Sequence, residues 1–151
     1  MIRLLLLVVS FIVVAGCGVR APQTQYFETT ITHSTPEAIA MEVEFDVSNT
    51  NDEPLRLTTY QYTVSVGGST VYRGKYSAQQ TVPQLSTVRS TIPIVIRRDA
   101  IIGSQHVAWR LSGSLGYIPP TEFAETLLKS GLWKPTTVIR AHGSATIPPI
   151  N

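Results

Sequence analysis

Cysteine is almost missing from this chain: 151 residues hold one, Cys17. A lone thiol excludes an internal disulfide, so the fold must be held by packing. Histidine is scarce too, and His33, His106 and His142 lie far apart with no metal-type partner at short spacing. A zinc site would need histidines and carboxylates gathered by the fold, so neither metal nor cofactor is expected. Charge of one sign is also lacking. Of twelve Lys and Arg only Arg3 precedes Cys17, so eleven face ten Asp and Glu in the rest of the chain. Nucleic-acid binders need a concentrated basic footprint, and none is expected here. The one adjacent basic pair, Arg97-Arg98, reads as a solvated strand end. No phosphate loop or redox motif is present. Gly113-Ser114-Leu115-Gly116 lacks the glycine spacing of a nucleophile elbow and its strand-to-helix setting. No enzyme activity and no small-molecule substrate are expected.

What is present begins at the N-terminus. Arg3 supplies a positive charge, residues 4–14 are apolar except for Ser10, and Val14-Ala15-Gly16-Cys17 closes the run with small residues. Charge, apolar core and small-residue cleavage site, in that order, make a secretory signal. As a helix, residues 4–17 would reach only about 21 Å at ~1.5 Å per residue, short of the ~30 Å hydrocarbon core. Val14-Ala15-Gly16-Cys17 further resembles the bacterial lipobox, in which cleavage between Gly16 and Cys17 follows lipidation of the cysteine. Two or more acyl chains hold a protein stably on a bilayer. Gly18 follows in place of the aspartate that resembles an inner-membrane retention signal, so the expected location is the cell envelope and, in a two-membrane bacterium, the periplasmic face of the outer membrane.

Cutting the signal leaves about 135 residues, the size of one domain. Residues 18–25 are polar, contain Pro22 and lack periodicity, and read as a tether reaching at most about 26 Å at ~3.3 Å per residue. Residues 39–47 alternate strictly, with Ile39, Met41, Val43, Phe45 and Val47 on one side and Ala40, Glu42, Glu44 and Asp46 on the other. That period of two predicts a strand with one buried and one wet face. The acidic row has the types for paired carboxylates or calcium, but a solvated face explains it. Asn49 to Pro54 reads as a turn built by side chains that bond their own backbone. These residues could also ligate a cation, though turn formation accounts for them.

Residues 55–66 predict a second strand, with Tyr60, Tyr62, Val64 and Val66 on one face, and Gly67-Gly68 a tight hairpin. For the return strand, residues 70–76, a two- or four-residue loop puts Val71 and Arg73 on the face of Val64 and Tyr62, whereas a three-residue loop reverses it. Residues 87–97 predict a strand that is an edge or bulged, because Pro93 cannot donate to a ladder. Residues 106–117 place Val107, Trp109, Leu111, Leu115 and Tyr117 on one side, and residues 136–147 form the last strand. One helix is expected over residues 122–129, capped by Thr121, with Phe123, Leu127 and Leu128 as its packing stripe and Gly131 beyond its end. Residues 35–38 are a weaker single helical turn. About seven strands separated by turns indicate an all-β sandwich.

The order of these segments resembles a known family. The strand and turn at residues 41–51, ending Asn49-Thr50-Asn51, look like the opening strand and Asn-Pro-Asn turn of the type-2 late-embryogenesis-abundant proteins with the water-stress and hypersensitive-response (WHy) domain. Pro54-Leu55, Tyr60-Gln61-Tyr62, Gly67-Gly68 with Tyr72-Arg73-Gly74, Val82-Pro83, Ile92-Pro93-Ile94, Trp109-Arg110-Leu111 and Gly143-Ser144-Ala145 resemble its later strands in order. Thr50 departs from the family's usual proline. The resemblance spans about residues 27–148. It implies an immunoglobulin-like or fibronectin-III-like antiparallel sandwich, an association with dehydration or other stress, and no catalytic residues.

The expected layout is a signal over residues 1–16, lipidated Cys17 and tether over 17–25, and a sandwich over 26–151. The expected partners are a membrane, through acyl chains on Cys17, and protein clients or a protein partner. Tyr60, Tyr62, Tyr72 and Tyr76 are candidates for a partner surface, since aromatics are enriched at interface cores, with ordinary core packing as the alternative. The leading functional expectation is a non-catalytic envelope protein that protects membrane or clients during desiccation. The alternative is an adaptor subunit of an envelope assembly.

Overall fold

The alternation that predicts a strand at residues 39–47 is realised in β2 (Ala38–Asn49), which buries Ile39, Met41, Val43, Phe45 and Val47. The chain is described from a computed structural model over residues 19–101, 106–120, 122–131 and 133–147. Among these residues β2 is the centre of a three-stranded antiparallel sheet between β1 (Gln23–Ser34) and β5 (Ser86–Arg97). The second sheet, also antiparallel, has four strands in the order β4 (Ser69–Val82), β3 (Leu55–Val66), β6 (His106–Ile118) and β7 (Thr136–Thr146). A short α-helix, α1 (Glu122–Lys129), bridges β6 to β7, and Gly131 at φ +75° ends it in the left-handed conformation. Over the described residues the fold is therefore an all-β two-sheet structure with seven strands.

The two sheets share one core. Val43, Phe45 and Ile92 from the first meet Leu57, Tyr60, Val64, Leu111, Leu115 and Ile139 from the second. Burying each such side chain contributes about 1.5–3 kcal/mol, which makes this layer the main source of stability in a chain without disulfides. Tyr26 of β1 meets Phe45 and Trp109 edge-on, at centroid separations of 6.4 and 6.1 Å.

Several local expectations are corrected. β1 begins at Gln23, Pro22 is buried and Val19 packs on the core, so residues 19–25 belong to the folded domain. Residues 35–38 form the β1–β2 hairpin turn rather than a helical one, with the Thr35 amide donating to the Ala38 carbonyl at 2.9 Å. The β3–β4 loop is the two-residue Gly67-Gly68 turn, both at positive φ, yet Tyr72 and Gly74 share the face of Val64 and Tyr62. A bulge between Val64 and Ser65 leaves Val71 unpaired and flips the parity set by the turn. Pro93 lies on β5, an edge strand, and the β2–β5 register runs evenly past it. The expected capping residue Thr121 and the Phe123 side chain lie outside the described residues, whereas Leu127 and Leu128 are half-buried.

Candidate functional site

The Asn49-Thr50-Asn51 turn is a hub of side-chain hydrogen bonds. Asn49, 2% exposed, donates from Nδ2 to the carbonyls of Glu53 (2.7 Å), Pro83 (3.1 Å) and Val82 (3.3 Å). Its Oδ1 accepts from the Asn51 amide at 3.0 Å and from Asn51 Nδ2 at 2.8 Å. Asn51 in turn brackets the backbone of Arg20: its Nδ2 donates to the Arg20 carbonyl at 2.9 Å and its Oδ1 accepts from the Arg20 amide at 2.8 Å. The Leu85 amide donates to the Asn51 carbonyl at 3.0 Å. Two asparagines thus tie the entering chain, the β2–β3 turn and the β4–β5 turn into one end of the sandwich. Their polar atoms are spent on backbone, and Thr50, between them, is exposed. The turn is a clamp.

The four tyrosines divide. Tyr60 and Tyr62 are 0% and 5% exposed and belong to the core, so they present no surface. The reason is again a bulge: β3 buries Leu55 and Leu57, then shifts register before Tyr60 and buries Tyr60, Tyr62 and Val64. Burial pushes the Tyr60 hydroxyl's pKa up, with the Ser90 side chain pulling weakly the other way. By geometry that hydroxyl has no hydrogen-bond partner among the described residues. Tyr62 reaches across to the edge of the other sheet and donates to the Pro93 carbonyl at 2.5 Å. Burial, first, and the neighbouring Tyr72 and Tyr76 raise its pKa as well. Tyr72 leans on Tyr62 at 5.9 Å between ring centroids, in a space that exists because residue 74 is glycine: a Cβ there would sit 2.6 Å from both rings. Tyr76 alone is well exposed.

The outer faces of the two sheets differ in charge. On the first, Arg89 binds Asp46 through Nε (3.0 Å) and Nη2 (2.9 Å), lies 3.7 Å from Glu44, and covers the Phe27 ring at 3.2 Å. The acidic row is therefore partly engaged by a neighbouring strand. Arg97 pairs with Asp99, and Arg98 donates to Ser34 Oγ and the Thr35 carbonyl, so this basic pair braces the β5 end. On the second sheet the register aligns Lys75, Gln61, Ser114 and Val138 in one row across the strands. The next row is Arg73, Thr63, Ser112 and Arg140, and Ser65, Arg110 and His142 follow. A shallow depression of about 460 Å³ lies between Arg73, Lys75, Ser112 and Ser114. No Asp or Glu occurs in any of the four strands. The near-balanced composition conceals this segregation, so the charge count does not by itself exclude an anionic partner for that face.

Among the described residues no three of His, Cys, Asp and Glu gather as metal ligands, and no helix is long and apolar enough to cross a membrane. His106 shares a hydrogen bond with Thr146 at 3.1 Å, whereas His33 and His142 stand on β1 and β7. Gly16 and Cys17 lie outside the described residues.

Comparison with known proteins places the fold. No protein-family model and no curated sequence matches the chain. Solved structures do. The solution structure of AT1g01470 from Arabidopsis thaliana superposes with a TM-score of 0.67 at 11% identity, covering 91% of each chain. At2g46140.1, described as a candidate late embryogenesis abundant (LEA) protein, gives 0.66 at 11% identity over 92% of this chain and 78% of its own. A crystal structure of a protein from Archaeoglobus fulgidus gives 0.53 at 13% identity, covering 88% of this chain and all of that one. At such identities the likeness is one of fold.

Proposed function

We propose that this protein is a lipid-anchored envelope sandwich that protects membrane or client proteins during water loss. In this reading the domain is immunoglobulin-like or fibronectin-III-like and belongs with the type-2 late-embryogenesis-abundant, WHy-containing proteins. Its signal is cut between Gly16 and Cys17, and acyl chains on Cys17 hold it at the periplasmic face of the outer membrane. The observation that carries the reading is the fold likeness, over about nine-tenths of the chain, to a protein described as a candidate LEA protein. The lipobox-like Val14-Ala15-Gly16-Cys17 supports the anchor. The surface fits such a role: the second sheet's outer face is a flat field of Gln, Ser, Thr and Arg, able to keep hydrogen-bonding a client as water leaves. The test is to dry a labile enzyme with the protein beside an equal mass of albumin. Preserved activity is expected, and equal loss in both tubes would refute protection.

One observation favours the adaptor reading, namely the opposite charge of the two outer faces, which suits an acidic partner on the β4-β3-β6-β7 sheet. In-cell crosslinking followed by mass spectrometry is then expected to return one dominant partner in unstressed cells. A diffuse background would count against it.

A further inference from the structure

The entering chain is fixed close to Cys17. Val19 packs on the core and Arg20 is bracketed by Asn51, so only Gly18, and a reach of at most ~7 Å from Cys17 to Val19, separates the cysteine from the folded end. Leu85 and Trp133 are at this same end. Leu85 bonds Asn51 from the β4–β5 turn, and Trp133 precedes Pro135, whose carbonyl accepts from the Tyr117 amide at 3.2 Å where β7 meets β6. Arg56, which follows the Asn49-to-Pro54 turn, pairs with Ile118 at the adjoining strand end.

Leu85 is 73% exposed and has φ +47°, a left-handed conformation that is strained for a non-glycine residue. A bulky apolar side chain is thus held in water at a position that folding alone would give to glycine or asparagine. Trp133, 41% exposed, is the second large apolar side chain there. Exposed Arg20 and Lys134 accompany them, but so do exposed Asp52 and Glu53, so the end is apolar without being strongly cationic.

We infer that this end is a bilayer-contact surface, with Leu85 and Trp133 entering the boundary between headgroups and acyl chains beside the lipidated cysteine. The occupant is the bilayer itself, because the distance to Cys17 leaves no room for anything else between. Tryptophan favours that interfacial zone. The inference rests on the lipid-anchor reading and adds to it an orientation: the strands stand on the membrane by their Asn49–Asn51 end, with both charged sheet faces free at the sides.

The test uses the full-length protein in phosphatidylcholine vesicles carrying bromine on the upper acyl carbons, with intact mass recorded first. Excitation at the red edge of the absorption band avoids the tyrosines, and Trp109, only 4% exposed, reports the core. With lipid mass present, bromine at the ~5–10 Å depth of interfacial side chains is expected to reduce the emission by about half. Trp133→Phe should abolish the quenching. Leu85→Asn should weaken it while leaving thermal stability equal or higher, which separates a membrane role from a folding one. Lipidated protein quenched no more than in unbrominated vesicles, or quenched equally as Trp133→Phe, would overturn the inference and leave the anchor standing. Uncut protein without lipid mass would overturn both.

Discussion

Replacing Asn49 tests whether the turn is a clamp. In Asn49→Ala the carbonyls of Glu53, Val82 and Pro83 lose a shared donor, and Asn51 loses its acceptor. Four of these contacts are 3.1 Å or shorter. At about 1 kcal/mol net for each bond, and with water reaching the exposed Thr50 side, the expected loss is about 3 kcal/mol. That is a large part of a typical stability of about 5–15 kcal/mol. With a urea slope of about 2 kcal/mol per molar, the midpoint should fall by about 1.5 M at unchanged slope. Asn49→Asp sharpens the test, since it keeps the shape but points a carboxylate at three carbonyl oxygens. Its folded-state pKa is then raised above the unfolded value near 3.9. The variant should be most stable below that pH and lose stability as pH rises through the raised value. Thr50→Ala, at an exposed site, should stay within about 0.5 kcal/mol. A loss below about 1 kcal/mol for Asn49→Ala, or an Asn49→Asp protein as stable at pH 7 as at pH 4, would refute the clamp.

Further outcomes follow from the core. Gly113→Ala should prevent stable folding, because its Cβ would lie 2.1 Å from the Gln61 carbonyl oxygen, which is backbone and cannot step aside. Gly74→Ala meets only the Tyr62 and Tyr72 rings and should fold with a lowered melting temperature; equal effects in calorimetry would contradict this ordering. Tyr60→Phe removes a buried hydroxyl without a hydrogen-bond partner among the described residues and should be neutral or stabilising by up to about 1 kcal/mol in urea unfolding. Burial raises the pKa values of Tyr60, Tyr62 and Tyr117 above their unfolded value of 10.0. Stability should therefore hold below about pH 10 and fall above it, as the unfolded chain loses these protons first. Ultraviolet titration should show those phenols ionising together with loss of the fold.

What the sequence made legible followed its unbroken periods. β2 and β6 keep strict alternation, so their inward residues could be named in advance. β3 could be named only from Tyr60 onward, because the bulge after Leu57 changes which parity faces the core. The β4 side defeated turn counting for the same reason, an unpaired Val71 that no residue type announces. β1 is not legible as a strand: residues 23–25 read as tether and residues 26–34 carry no strand signal, because an edge strand buries little, and the pairing of Gln23 to Gln25 is set by Asp46 to Ser48 of β2. Asn49 was readable as a turn residue, but its bonds to Val82 and Pro83 join positions more than thirty residues apart. The charge segregation was hidden because composition averages over strands that the topology then sorts into different layers.

That sorting gives the molecule two electrical personalities at nearly zero net charge. At low ionic strength it should be retained on sulfonate resin through the Arg73, Lys75, Arg110 and Arg140 side, and on quaternary-ammonium resin through the Glu42 side. Its isoelectric point alone, near 8.9 for the whole chain, describes neither column.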